Sequence, residues 1–72
     1  MGTKSVRDII AQIEAVMAAR VGECSVSVLG WGASWRCVVR RASDGVRVAE
    51  TAHHDSERKA VRDLARILGV SL

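Results

Sequence analysis

Residues 24–51 read CSVSVLGWGASWRCVVRRASDGVRVAET, and this stretch decides the fold. Apolar and polar residues alternate in three runs, which is typical of strands that bury one face. We predict strands over residues 24–29, 35–42 and 46–51. Because successive side chains on a strand point to opposite faces, parity gives the inward set. The predicted inward residues are Cys24, Val26, Val28, Trp35, Cys37, Val39, Val46 and Val48.

Two tight turns are predicted to join these strands. The first is centred at Gly30 and Trp31, and the second at Asp44 and Gly45, where Asp-Gly favours a type I′ hairpin turn. Both turns pair odd positions with even ones. The three apolar sets therefore share one face of an antiparallel sheet.

The position of the first turn also predicts how the two cysteines lie relative to each other. A turn at that centre sets Cys24 directly opposite Cys37, where a cross-strand disulfide would fit. Our prediction is instead two buried, reduced thiols, because free cysteine is among the most buried residue types. The N-terminal residues also lack the apolar core of a secretion signal, which favours a reducing compartment.

One helical pattern precedes the strands, over residues 5–21. Ser5 and Asp8 resemble a capping box, and Gly22 suits the left-handed position that ends a helix. A flank of alanines beside the apolar stripe would allow close packing on the other helix or on a second copy, although alanine is also simply the best helix former. The stripe at helical spacing comprises Val6, Ile9, Ile10, Ile13, Val16 and Met17.

A second helical pattern follows the strands, over residues 56–68. Asp55 or Ser56 can cap its start, and Gly69 can end it. The predicted inward stripe comprises Ala60, Val61, Leu64, Ile67 and Leu68.

The element order is therefore α-β-β-β-α in a single domain, residues 1–72. We predict an α+β two-layer sandwich with both helices on one face of a three-stranded antiparallel sheet. The core lacks Phe, Tyr and Pro and is thin, so a second copy of the chain, as in a homodimer, or another partner would add stability. The predicted open face carries Ser25, Ser27, Leu29, Arg36, Val38, Arg40, Arg47, Ala49 and Thr51.

Composition restricts the function only loosely. The net charge of +3 permits contact with nucleic acid or an acidic protein surface. No apolar run reaches the length of a membrane span, so we expect a cytoplasmic protein without a membrane partner. No spacing of acids, histidines or nucleophiles forms a catalytic set, so we expect neither an enzyme nor a cofactor.

Trp31 and the arginines Arg36, Arg40 and Arg47 are the first candidate site. Guanidinium groups on an open sheet face can fork onto carboxylates or phosphates. An exposed tryptophan at a hairpin tip is a common binding anchor. The alternatives are an ordinary solvated strand face, and an indole that folds back over the sheet edge.

The start of the last helix is the second candidate site, because its free amides favour anions. Arg58, Lys59 and Arg62 supply basic charge there. Nearby, His53, His54 and Asp55 suggest a metal site, but adjacent histidines on an extended segment point apart and no second ligand pair has zinc spacing. We therefore expect no metal and assign the histidines to a pH-sensitive contact.

The stretch WRCVVRRASDGVRVAETAHHDSERKAVRDLARILG, residues 35–69, resembles the second half of a double-stranded RNA-binding domain. The resemblance implies an α-β-β-β-α fold and a basic cluster that sits over phosphates at the start of the last helix. Arg58 and Lys59 match that cluster, whereas Glu57 and Val61 depart from it. The family's long first loop is replaced by a short one, which removes a region that duplex RNA recognition needs.

The chain also resembles in type the small proteins of phages and mobile elements, including anti-CRISPR proteins, which act by docking on a larger host complex. Our hypothesis is a non-enzymatic binding protein that blocks or adapts a larger protein or ribonucleoprotein, using Trp31 and the three arginines. The alternative hypothesis is a module that binds duplex RNA or DNA.

Overall fold

The computed structural model describes residues 4–72, and it has the predicted α-β-β-β-α order. The three strands form one antiparallel sheet in the order β1-β2-β3. Both helices pack against the same sheet face and against each other, which confirms the two-layer α+β architecture. The elements are α1 (Val6–Val21), β1 (Cys24–Trp31), β2 (Ser34–Arg41), β3 (Arg47–Glu50) and α2 (Glu57–Leu68).

The helix ends follow the predicted capping residues. The Ser5 hydroxyl accepts from the Asp8 amide at 3.1 Å, and the Asp8 carboxylate accepts in return from the Ser5 amide. Ser56 caps α2, which ends at Gly69 in the left-handed conformation. Gly22 ends α1 as predicted, but the left-handed helical conformation predicted for it is wrong: with φ 98° and ψ 177° it is extended in ψ, because the chain leads straight from α1 into β1. Neither described helix has both the length and the hydropathy to cross a membrane.

The core lies between the helices and the covered sheet face. Ile67 was predicted to face inward, but it is 45% exposed, and Ala65 is buried in its place. Ile67 lies roughly a quarter turn from the centre of the buried stripe, where α2 no longer faces the sheet. The buried cluster comprises Ile9, Ile13, Met17, Cys24, Cys37, Val39, Ala60, Val61, Leu64, Ala65 and Val70.

The first hairpin turns two residues later than predicted. Trp31 pairs with Ser34, so the turn residues are Gly32 and Ala33. Gly32 has φ 59° while Ala33 has no positive φ, the pattern of a type II′ turn. The later turn leaves parity unchanged, so the inward set of β1 and β2 is as predicted.

The later turn separates the two cysteines. Cys24 lies opposite Arg41, and Cys37 lies opposite Val28. The predicted direct pairing of Cys24 with Cys37 is therefore wrong, and four residues of strand, roughly 13 Å, lie between them along the sheet. Both are free and buried, as predicted.

The second hairpin has a four-residue loop rather than a type I′ turn. The Arg41 amide donates to the Val46 carbonyl at 2.9 Å, and the Gly45 amide donates to the Arg41 carbonyl at 2.8 Å. The Arg41 guanidinium also pairs with the Asp44 carboxylate at 2.7 Å. This ion pair closes the loop over residues 42–45.

A β-bulge then reverses parity in β3. The predicted turn centre would pair Arg40 with Ala49, whereas Arg40 pairs with Arg47, on the open face predicted for both arginines, and the next pair is Val39 with Ala49. One extra residue on β3 accounts for the shift. The predicted orientation after the bulge is therefore wrong: Ala49 and Thr51, expected on the open face, turn inward, and Thr51 is buried. Val46, also expected inside, is 47% exposed because it lies at the end of the loop, before β3 begins.

Candidate binding surface on the open sheet face

The sheet face away from the helices is arranged in rows of paired residues. Four side chains stand out on it, together with one exposed leucine, and we call this set the open-face patch. Since neighbouring rows on one face lie two residues apart, four rows span roughly 20 Å. From one end the rows are Trp31 with Ser34, Leu29 with Arg36, Ser27 with Val38 and Glu50, and Ser25 with Arg40 and Arg47. The open-face patch comprises Leu29, Trp31, Arg36, Arg40 and Arg47.

Trp31 projects from this face into solvent, with 84% of its surface exposed. It occupies the last position of β1, just before the turn. The turn is fixed by Trp35, whose indole Nε1 donates to the Gly32 carbonyl at 2.8 Å. Gly30 allows a close approach of the two strands, since a Cβ there would lie 2.1 Å from the Ser34 carbonyl oxygen. The alternative in which the indole folds back over the sheet edge is therefore wrong.

The arginines Arg36 and Arg47 share one carboxylate. Their Nη1 atoms lie 3.5 Å and 3.1 Å from Glu50 Oε2, respectively. Arg40 lies directly opposite Arg47 and donates to the Gly45 carbonyl at 3.2 Å. One acid among three guanidinium groups leaves an excess of positive charge. Sequence reasoning missed Glu50, because the bulge is what turns it to this face.

Val38 forms the apolar floor of the arginine region. It is on the open face, outside the helix-covered core, yet only 2% exposed. Arg36 and Arg40 flank it along β2, while Ser27 and Glu50 flank it across the sheet. The methylene stems of long side chains can cover a small apolar residue in such a position. Val38 is therefore shielded from solvent between Arg36 and Arg40.

The second candidate site lies elsewhere on the molecule. Arg58, Lys59 and Arg62 are on α2, which packs on the opposite sheet face from Trp31. Arg58 Nη1 donates to the Lys4 carbonyl at 2.5 Å, and Lys59 pairs with Asp55 at 3.1 Å. The fold thus keeps the two basic clusters apart.

The adjacent histidines point in different directions, as predicted. His53 Nδ1 lies 2.9 Å from Ser34 Oγ, whereas His54 Nε2 lies 2.8 Å from Asp63 Oδ2. Hydrogen bonds from His54 and then Arg66 lower the pKa of Asp63. Within residues 4–72, no group of three or more His, Cys, Asp or Glu side chains could hold a metal ion.

Cys37, in the central strand of the sheet, has an unreactive thiol. Burial raises the pKa of Cys37 to about 11, with smaller contributions from Glu57 and Asp63. At neutral pH the thiol therefore stays protonated, and a protonated thiol is a poor nucleophile.

Comparison of the chain with protein-family models, with curated proteins and with solved structures gives no match. The resemblance of residues 35–69 to a double-stranded RNA-binding domain, and the resemblance in type to anti-CRISPR proteins, stay predictions.

Proposed function

We propose that this chain is a non-enzymatic binding protein that docks on a larger protein or ribonucleoprotein through the open-face patch. The observation that supports this most is Trp31, whose indole is 84% exposed beside the exposed Leu29. Such a pair costs solubility in an isolated protein, and contiguous exposed apolar groups mark interaction sites. Tryptophan and arginine are also the residues most enriched among interface anchors.

The surface that receives the patch is expected to be acidic. Arg40 and Arg47 lie directly opposite each other, and like charges in that position destabilise a sheet. A carboxylate from a partner would relieve the repulsion and can accept two parallel hydrogen bonds from one guanidinium. The tryptophan end would then anchor the contact, while the arginine end sets its orientation.

A protein surface fits the patch better than a nucleic-acid backbone does. Glu50 pairs with Arg36 and Arg47 and so lowers the positive charge that a polyanionic backbone would need. Trp31 and Leu29 form an apolar pair that a phosphate backbone could not use. At the alternative site, Lys59 is already paired with Asp55 in the same turn of chain. Nucleic-acid binding is therefore the alternative hypothesis, and the titration described below distinguishes it from protein binding.

Of the two roles, we favour blocking over adapting. A flat patch on a 72-residue chain can cover a site on a larger complex without contributing a reaction of its own. A phage-encoded inhibitor of the anti-CRISPR type would act in this way. We place it in the cytoplasm, where the thiols of Cys24 and Cys37 would stay reduced.

The experiment compares four immobilised chains in a lysate of the native host. They are the wild type, Trp31→Ala, the triple change Arg36→Ala with Arg40→Ala and Arg47→Ala, and Arg62→Ala as a matched control on the other side of the molecule. We expect a protein retained by the wild type and the control, and reduced at least about tenfold by either patch variant. Equal retention by Trp31→Ala would contradict the proposal.

A parallel titration separates protein binding from nucleic-acid binding. Duplex RNA, duplex DNA and single strands are titrated at two salt concentrations. Micromolar binding that falls steeply with salt would shift the function to nucleic-acid binding, since phosphate contacts release counterions. We expect no such binding.

A further inference from the structure

The outer edge of β1 carries backbone groups that the sheet does not use. The Ala42 amide donates to the Glu23 carbonyl. From this bond and the register, the backbone amides and carbonyls of the odd residues of β1 point toward β2. The even residues therefore direct their amides and carbonyls away from the sheet. One of these amides, that of Val26, donates to Glu14 Oε2 at 3.0 Å. Beyond it, no strand among residues 4–72 lies beside the edge groups of Val28 and Gly30.

A groove of about 560 Å³ with an apolar floor runs along this edge. Its floor is formed by Val26 and Val28 of β1 and its wall by Val6 and Ile10 of α1, while the charged residues Arg7 and Glu57 complete its lining. The four apolar residues are only partly buried and pack against the rim of the core. An edge strand beside an apolar groove is the setting in which a further strand adds to a sheet.

The face of α1 next to this edge has opposite charges at a fixed spacing. Arg7 and Glu14 are seven residues apart, almost two helical turns, and so lie on the same side of α1 roughly 10 Å apart. Ala11 lies between them and is exposed. An antiparallel copy of this helix, centred near Ala11, would set each Arg7 beside the Glu14 of the other copy, and the small side chain would allow the helices to approach closely.

We infer that the occupant of the β1 edge is a second copy of this chain. The two β1 strands pair antiparallel about a two-fold axis at Val28 and join both sheets into one of six strands. Val28 then bonds with its own copy, and Val26 of one chain bonds with Gly30 of the other. Glu14 leaves the Val26 amide for Arg7 of the second copy, so the same carboxylate that protects the edge of the monomer stabilises the dimer.

This occupant is favoured by charge complementarity. A free peptide strand could use the groove and the edge, but it would displace Glu14 without offering the carboxylate a new partner. A second copy supplies one at each end of the helix pair, and the contact is self-complementary as a two-fold interface requires. The inference is independent of the proposed function, because the pairing uses backbone groups of the β1 edge and charges on α1, whereas the proposed function depends on side chains of the open-face patch.

The test is sedimentation equilibrium of the full chain over a wide concentration range, in buffer without any partner. We expect a reversible species of twice the 7.8 kDa chain mass. Arg7→Glu should weaken dimerisation at least about tenfold by placing two acids together, and Arg7→Glu combined with Glu14→Arg should restore it. A single 7.8 kDa species at every concentration would overturn the inference.

Amide exchange gives a second readout that does not depend on a variant that folds. Exchange at the Val28 amide should slow as the concentration of the wild-type chain rises, while the Ser27 amide, already bonded to β2, should change little. A dimer that leaves Val28 exchange unchanged, or one that Arg7→Glu does not weaken, would overturn the inference by placing the contact elsewhere.

Discussion

The two faces of the sheet are built from the same strands, but one is covered by the helices and the other is open to solvent. On β2, the odd residues Cys37 and Val39 are fully buried under the helices, whereas the even residues Arg36 and Arg40 reach the other surface. Strand alternation directs the two sets to opposite faces, and Val38 is the one buried residue of β2 on the open face. Substitutions on the covered face should therefore cost folding free energy, and substitutions on the open face should cost binding.

The largest expected effect is on the covered face. Leu64→Ala removes a fully buried side chain from the centre of α2 and should lower the free energy of unfolding by about 2–5 kcal/mol. A chain of this length has roughly 4–10 kcal/mol in total, so a large fraction should unfold. Urea unfolding followed by circular dichroism measures the change. Leu29→Ala on the open face, the matched control, should cost less than about 1 kcal/mol; equal losses would remove the distinction between the faces.

Thr51 tests the parity reversal in β3. Its hydroxyl accepts from the Cys37 amide at 3.0 Å and donates to the Ala52 carbonyl at 2.8 Å. Thr51→Val leaves that buried amide without this acceptor and should cost about 1–3 kcal/mol in the same unfolding assay. Thr51→Ser keeps the hydroxyl and should recover most of the loss. A neutral Thr51→Val would mean that this residue lies on the open face after all.

Asp63 gives a smaller, pH-dependent effect on the helix side. Its pKa is lowered by His54 and Arg66, so the folded chain holds this proton less tightly than the unfolded chain does. The stabilisation is therefore present above the unfolded pKa, near 3.8, and is lost as the pH falls through the lower folded pKa. Asp63→Asn should cost up to about 1 kcal/mol at neutral pH and flatten the acid limb of the stability curve.

The control for this pH effect is the exposed loop acid Asp44. Its pKa is lowered by Arg41 and by the Val46 amide, so the sign of the effect is the same. Because this pair lies in solvent, Asp44→Asn should change the acid limb less than Asp63→Asn does. The reverse order, measured by thermal unfolding across the acid range, would contradict the assignment.

The smallest effect on stability should come from the residue with the largest effect on binding. Trp31→Ala removes a side chain that contributes almost nothing to the core, so the free energy of unfolding should change by less than about 0.5 kcal/mol. Urea unfolding of this variant beside the wild type measures it. A loss above about 1 kcal/mol would show that the indole supports the hairpin, and its loss of binding could then reflect misfolding.

Much of the fold could be predicted because its signals are local. The Ser5 and Ser56 caps, the helix stripes and the strand alternation each depend on residues within one or two turns of chain. The exposure of Trp31 was predicted from its place at the glycine-flanked hairpin tip, and the shared face of Arg36 and Arg40 from strand alternation. The ion pairs through Glu50 and the burial of Val38 could not be foreseen, since both arise where three strands meet.

The sequence alone determined the element order, the helix ends and the inward parity of β1 and β2. Only the tertiary structure decided the hairpin register, the bulge in β3 and the free edge beside Glu14. The physical reason is that parity repeats every two residues, so moving a turn by two positions leaves every side chain on its face while changing each partner. One extra residue in a bulge instead moves every later side chain to the other face, so that Glu50 turns outward and Thr51 inward. Only packing of β3 against β2 decides where the bulge forms.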